Sequence, residues 1–470
     1  MWRLSGSLDT GALKESIAAI VQRHEVLRTT FPVVDGVPRQ KILEWVPCEI
    51  DVVDLRPLPD SDRETRAREA ALAIATRPFD LTLAPLFRAR IFQLRDDEHL
   101  LLLVVHHIVF DGTSLGVFFR ELRKFYEEFS GGPTASLPGL PVQYADYAVW
   151  QQQHLMEPAV ERQLDYWKEM LQGPLPVLEL PADHPRPAVR SDRGAIYRFS
   201  VPLHVLQALH RLQQEERTTN FSIYLAAFKV LLYRYTRQED LIVGTLASGR
   251  NLPELRHQIG FFVNTHAIRT FMEPDLTFRE LLWDVFENWL NAIENQDVPF
   301  DRIVEALKPD RDPSHTPIFQ VLFSFQSLPR RDLELAGLRV KPEPIDCGVA
   351  KFDLCLDVNE TANGAACFLE YSTDLFEQET IARLASHFCT LLESIAEDPS
   401  REIRSLTLLS EAERRQIKEW NATRKEYPKH LCIPDLFERQ VERSLGKTAL
   451  VAGEQRLSYA ELNERANLLA

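Results

Sequence analysis

The apolar run Leu100-Leu101-Leu102-Leu103-Val104-Val105 ends abruptly in His106-His107-Ile108-Val109-Phe110-Asp111-Gly112. Such a run predicts a buried strand. Two imidazoles, a carboxylate and a turn glycine therefore sit where a strand leaves the core. Loops at strand ends are favoured places for chemistry, because the scaffold fixes their side chains. Successive side chains of a strand point to opposite faces. If the extended conformation persists through the pair, one imidazole faces a cleft and the other faces packing. Asp111-Gly112 is a turn signal that lets Asp111 fold back toward the strand end. The competing reading is a hydrogen-bonded core histidine without chemistry.

Around this segment the pattern mixes helices and strands. A short strand from Trp2 to Gly6 precedes a helix that Asp9 can cap, with Leu13, Ile17, Ile20 and Val21 at helical spacing. The charged stretch Arg23-His24-Glu25-Val26-Leu27-Arg28-Thr29-Thr30-Phe31 leads from that helix toward a strand. Phe87 to Leu94 and Leu100 to Val109 predict a hairpin, and a helix is expected from Leu115 to Phe129. Proline-rich stretches at 131–141 and 173–187 flank a Trp-, Tyr- and Gln-rich segment. That segment predicts a helix from Tyr144 to Leu171, suited to bridging two lobes. Beyond it, Leu225, Phe228, Leu232 and Tyr235 form an apolar helical stripe, and Leu241-Ile242-Val243-Gly244 reads as a buried strand. Ile381, Leu384, Phe388, Leu391 and Ile395 mark a later helix. Without strict alternation, the expected class is α/β with mixed sheets.

Composition narrows the function classes. The chain has 470 residues, 45% hydrophobic and 26% charged, which suits a globular protein of two or three domains. The formal charge of -15 argues against nucleic acid as a partner, since a phosphate backbone wants a basic face. No apolar run approaches the roughly 20 residues needed to span a bilayer, and no secretory leader is evident. The six cysteines lack Cys-x-x-Cys spacing, so neither a zinc site nor a disulfide framework is expected. A reducing cytoplasm is the expected compartment.

Taken together, spaced motifs make the chain resemble the condensation domain of a nonribosomal peptide synthetase, over residues 1–400. His106 to Gly112 matches the active-site signature of that family, His-His-x-x-x-Asp-Gly. Arg23 to Phe31 resembles the second family motif, and Tyr144-Ala145-Asp146-Tyr147-Ala148-Val149-Trp150 the fourth. Ile259-Gly260-Phe261-Phe262-Val263-Asn264-Thr265 resembles the fifth, Asn295-Gln296-Asp297-Val298-Pro299-Phe300 the sixth, and Arg311-Asp312-Pro313-Ser314-His315-Thr316-Pro317 the seventh. Each also has a plainer reading. The fifth could be a core strand with a bulge glycine, the sixth a helix end stopped by Pro299, the fourth packing. Arg23, Glu25 and Arg28 read as a structural charge cluster. The epimerization, heterocyclization and non-catalytic recruitment relatives are disfavoured by these motifs, and details from Arg311 to Gln320 look more like the type joining two L-residues than the type accepting a D-residue donor.

The resemblance implies a chloramphenicol acetyltransferase-like fold: two lobes in a V, a pseudodimer with mixed sheets and a tunnel open at both faces. It implies a first lobe at 1–150, an inter-lobe connection at 151–187, a second lobe at 188–397, a linker at 398–430, and the start of an adenylation domain at 431–470. Leu457-Ser458-Tyr459-Ala460-Glu461-Leu462 carries the last assignment. The first family motif is missing and no Gly-rich phosphate loop follows the tail. The sequence thus reads as a fragment truncated at both ends, expected to fold or act poorly alone.

The implied reaction joins two substrates held as thioesters on the phosphopantetheine arms of donor and acceptor peptidyl carrier proteins. No cofactor is bound by this chain itself, and the adenylation domain of the same multienzyme is a further partner. A free α-amine titrates near 8, so the nucleophile needs little activation. Aligning amine and carbonyl, and handling the proton, are the harder tasks. By the family motif, His107 faces the tunnel, as general base or as a group positioning the amine. His106 then packs, Asp111 is structural and pairs with Arg250, and Gly112 permits the turn and a close backbone approach. A non-catalytic carrier-docking module and a free-standing acyltransferase of the same superfamily are the alternatives.

Overall fold

The computed structural model describes residues 1–310, 312–326 and 333–469. It divides into two compact units, Met1–Leu408 and Leu409–Ala470. Arg311, which opens the expected seventh motif, lies outside the described residues.

Among the described residues, the first unit holds two six-stranded sheets, each mixed. The first runs Leu333–Leu335, Leu338–Pro342, Trp2–Ser5, Glu98–Val105, Phe87–Arg95, Ile50–Asp54. Its Ile50–Asp54 strand pairs in parallel with Phe87–Arg95, and the other pairings are antiparallel. The Leu100 to Val105 run makes physical sense here. Leu101, Leu103 and Val105 face the helices Thr10–Arg23 and Gly112–Phe129, while Leu100, Leu102 and Val104 face the helix Asp60–Ala75. A strand covered on both faces reads as a continuous apolar run rather than an alternation.

The second sheet runs Asn264–Phe271, Asp240–Ala247, Val321–Gln326, Leu354–Thr361, Gly364–Ser372, Gly194–Pro202. Its Asp240–Ala247, Val321–Gln326 and Leu354–Thr361 strands are parallel. The helix Asn220–Thr236 packs into its core and buries twelve consecutive residues, Ser222 to Tyr233. Periodicity alone sees only a stripe there, because a helix enclosed on all sides loses its polar face.

Four sequence expectations change. The segment from Tyr144 to Leu171 is two helices, Tyr144–His154 and Pro158–Met170, the second begun by a proline at its first turn. The 188–397 stretch is not one lobe, because its Leu338–Pro342 strand pairs with Trp2–Ser5 in the first sheet. The linker does not begin at 398, since Ile403 and Leu406 are buried in the second sheet's core. Gly260 to Val263 lies outside any strand, and the strand starts at Asn264.

The second unit holds the helices Glu411–Trp420, Ile433–Ser444 and Tyr459–Leu469 and the hairpin Thr448–Ala452 with Gln455–Ser458. Ser458 caps the last helix reciprocally. Its N–H donates to Glu461 Oε2 at 2.8 Å, and Glu461 N–H donates to Ser458 Oγ at 3.2 Å.

Candidate active site

The Glu98–Val105 strand stops at Val105. His106 remains extended, its N–H donating to Leu86 O at 3.0 Å. A short 3-10 turn, His107–Val109, follows. The two imidazoles therefore diverge through a turn rather than through strand alternation. His106 is half-buried, edge-on to Phe79 with ring centroids 5.9 Å apart. Its Nδ1 accepts from Ile108 N–H at 3.1 Å and so caps the turn. Burial, and then the neighbouring His107, hold its pKa below the ordinary imidazole value. The neutral ring keeps the lone pair that this cap requires.

His107 is exposed and edge-on to Phe261, with centroids 4.9 Å apart. It makes no side-chain hydrogen bond among the described residues. Phe261 comes from the second half of the unit, on the segment joining Asp240–Ala247 to Asn264–Phe271.

That segment is fastened beside the histidine turn at several points. Asp111 is the N-cap of the helix Gly112–Phe129 and is 3% exposed. Its Oδ1 accepts from Ser114 N–H at 2.7 Å and from Arg250 Nη2 at 2.8 Å, and its Oδ2 accepts from Phe262 N–H at 3.1 Å. Arg250 Nη1 donates to Leu255 O and Gln258 O, each at 2.9 Å, and the guanidinium carbon stands 4.3 Å over the Phe262 ring. Ser114 Oγ accepts from Gly260 N–H at 3.0 Å and lies 3.0 Å from Gly260 O. With both carboxylate oxygens accepting these bonds, Asp111 serves as a structural acceptor. Its carboxylate and Arg250 hold the two halves of the unit together.

A second anchor lies behind the first. Ile259 N–H donates to His24 Nδ1 at 3.3 Å, and His24 Nε2 meets Glu121 Oε2 at 2.8 Å. Arg23 pairs with the other Glu121 oxygen at 3.1 Å. Arg28 instead donates to the carbonyls of Leu43, Glu44 and Gln22, and Glu25 contributes its backbone N–H to Gln143. The expected cluster of Arg23, Glu25 and Arg28 is thus three separate attachments.

Two glycines are demanded by this packing. A Cβ on Gly249, at φ +63°, would lie 1.9 Å from Phe262 O, and one on Gly260 would lie 2.4 Å from the Tyr144 ring. Gly112 corrects an expectation. It is the first residue of its helix, its φ is not left-handed, and a Cβ there would meet nothing within 4 Å. The turn is made by the Asp111 cap and needs no glycine.

Beyond Phe261 opens a cavity of about 280 Å³. The expected fourth, fifth and sixth motifs meet around it: Tyr144, Tyr147 and Trp150 from one helix, Phe261 to Asn264 from the fastened segment, and Gln296, Asp297 and Pro299. Asn264 ties two of these walls together, donating from Nδ2 to Gln296 O at 3.0 Å and Val298 O at 2.8 Å. Burial pushes the phenols of Tyr144 and Tyr147 up to about 12, so both present neutral rings. Among the described residues, no group of His, Cys, Asp and Glu is arranged to hold a metal. Nor is any helix long and apolar enough to cross a membrane.

Sequence reading missed Ser114, His24 and Glu121 as members of the site, and placed Phe261 only as part of a fold-building motif. The Asp111-x-x-Ser114 spacing is a legible capping signal. His24 and Glu121 are 97 residues apart and meet only in three dimensions.

Known proteins resemble this chain in sequence and in fold. The family profile "Condensation domain" matches residues 1–418. A linear gramicidin synthase protein of Brevibacillus parabrevis is 43% identical over all of this chain, which spans 9% of that protein. Bacitracin synthase 3 of Bacillus licheniformis is 38% identical over all of the chain, which spans 7% of it. The chain thus covers less than a tenth of either relative. Among solved structures, the X-domain from teicoplanin biosynthesis is 31% identical with a TM-score of 0.77, covering 87% of this chain and 92% of that one. A four-domain nonribosomal peptide synthetase bound to AMP and glycine superposes with a TM-score of 0.82 at 24% identity. That match covers 100% of this chain and 37% of that one, and it speaks for the fold alone. With its mixed α/β fold, this chain belongs to the condensation-domain family.

Proposed function

We propose that this chain forms a peptide bond between two aminoacyl or peptidyl thioesters, in nonribosomal peptide synthesis. The substrates arrive on the phosphopantetheine arms of a donor and an acceptor carrier protein. The chain works beside an adenylation domain of the same multienzyme in the cytoplasm, joins L-residues, and binds no cofactor of its own. One observation carries the reading. Asp111, Ser114 and Arg250 are consumed in fastening the fold, while His107 stands exposed with an imidazole that nothing else uses.

The acceptor amine nitrogen attacks the donor thioester carbon, the new N–C bond forms, and the C–S bond breaks. His107 takes the proton from the nitrogen, or orients the amine by a hydrogen bond, and the departing thiolate is protonated. Positioned proton transfer of this kind contributes about 10²–10⁴-fold. Neutral His106 beneath it keeps the turn in shape.

A second reading has one specific support. The X-domain, at 31% identity, is also found in a solved complex with OxyB, which suggests a docking module. The test is a product assay with two loaded carrier proteins, read by mass spectrometry. A dipeptidyl thioester that vanishes in His107→Ala supports the enzyme. Carrier binding with no product from the unmodified chain would overturn it in favour of docking.

A further inference from the structure

None of the 11 residues of the helix Tyr144–His154 is fully buried, although it carries two tyrosines and a tryptophan. Large aromatic side chains usually go to the core. Here Tyr144, Tyr147, Trp150 and His154 stack along one side of the helix. Tyr147 lies 5.8 Å from Trp150, and Trp150 lies 4.7 Å from His154. Phe262 closes the row, 5.1 Å from Tyr144 and 4.9 Å from Tyr147. These rings line the cavity of about 280 Å³, with Tyr144 also packed against the first sheet's core.

The charges at the cavity are unbalanced. Asp297 accepts from Gln163 Nε2 at 2.8 Å and from Asn251 Nδ2 at 3.5 Å, and its Oδ2 lies 3.8 Å from His154 Nε2. Asp301 is exposed and makes no ion pair among the described residues. Arg302 also lines the cavity and pairs with the exposed Glu305 at 3.2 Å, and Arg250 behind Phe262 is met by Asp111. Two carboxylates, one arginine that already has an acidic partner, and a row of aromatic rings therefore line the space. An anion such as a phosphate would meet two carboxylates there, whereas a cation meets their charge and the aromatic rings together. The same row already holds one cation, since the Arg250 guanidinium stacks on Phe262.

We propose that this cavity binds an organic cation, an alkylammonium or guanidinium group the size of a lysine or arginine side chain. Because Phe261 lines the cavity and touches His107, the side chain of a carrier-bound basic aminoacyl group can lodge there beside the reacting centre. That source rests on the function proposed above, whereas the cation site itself does not.

The test uses the full chain. Calorimetric titration with n-butylguanidinium and its neutral isostere n-butylurea should show the cation binding about tenfold more tightly. Asp301→Asn, at an exposed position, should remove most of that preference. Tyr147→Ala should weaken the cation several-fold, whereas Tyr147→Phe, which keeps the ring face, should not. Equal binding of the two isosteres, or full preference in Asp301→Asn, would overturn the proposal. A second arm compares arginyl and citrullyl thioesters in the condensation assay. Preference for arginyl that falls in Asp301→Asn assigns the carried side chain. Binding of butylguanidinium without that preference assigns a free amine and leaves the cation site standing. Absence of condensation with every substrate counts against the enzyme reading only.

Discussion

The segment from Leu255 to Val263 has two unlike faces. On one, the N–H groups of Ile259, Gly260 and Phe262 are donated to His24, Ser114 and Asp111, and Arg250 gathers the carbonyls of Leu255 and Gln258. On the other, Phe261 is 39% exposed, edge-on to His107 and bordering the aromatic cavity. The fastened face has almost no freedom, and the open face has almost no bonds. Reactive groups need placement within fractions of an ångström, and a rigid shell beneath them supplies it. The difference separates residues whose loss costs stability from those whose loss costs chemistry.

The sharpest break between the faces is His107→Ala. We expect peptide-bond formation to fall by about 10²–10⁴-fold. Urea unfolding should shift by no more than about 0.5 kcal/mol, because the ring is exposed and unbonded. Unchanged product formation would remove His107 from the chemistry. A large loss of stability would place it on the fastened face instead.

Arg250→Met tests the other face. It leaves the buried Asp111 carboxylate without its ion partner, and such a loss costs about 3–5 kcal/mol. The double variant with Asp111→Ala should cost less than the two singles combined, because the two side chains share one network. Simple additivity in urea denaturation would show that the pair is not coupled.

A smaller effect comes from the second sheet. His266 is fully buried among Trp167 and Trp289, and burial lowers its pKa to about 4. The unfolded chain, near the ordinary 6.5, takes up a proton that the folded chain refuses. Stability is therefore complete above about pH 6.5 and falls as the pH drops toward 4, by about 3 kcal/mol from this group. In His266→Gln the acid limb of the stability curve should flatten by that amount. An unaltered limb would mean that other groups control acid unfolding.

How much of this was legible beforehand follows from the range of the interactions involved. The strand before His106, the Asp9 cap and the helix ending at Phe129 depend on neighbours in sequence, and their residues announce them. The Leu338–Pro342 strand in the first sheet depends on pairing with Trp2–Ser5, hundreds of residues away, and nothing local encodes it. The same holds for His24 with Glu121 and for Phe261 with His107. The fourth motif read as packing because Tyr and Trp usually pack, and only the structure shows that helix without a fully buried residue.

Gly112 is where a familiar inference from sequence meets the geometry most directly. Asp-Gly suggests a turn that only glycine can make, yet the backbone here is an ordinary helix start, with open space where a Cβ would stand. Alanine is also the better helix former. Gly112→Ala should therefore leave stability unchanged or raise it by a few tenths of a kcal/mol in urea denaturation. A loss above about 1 kcal/mol would restore the turn explanation. With stability intact, the condensation rate becomes a clean reading of the space itself. Gly112 is exposed and follows the His107 turn in the chain, so we expect an added methyl group to slow the reaction by obstructing the substrate. The loss should be smaller than that of His107→Ala, because the methyl group obstructs the approach without removing the imidazole. An undiminished rate would mean that the substrate does not pass over Gly112, and that this glycine serves neither face.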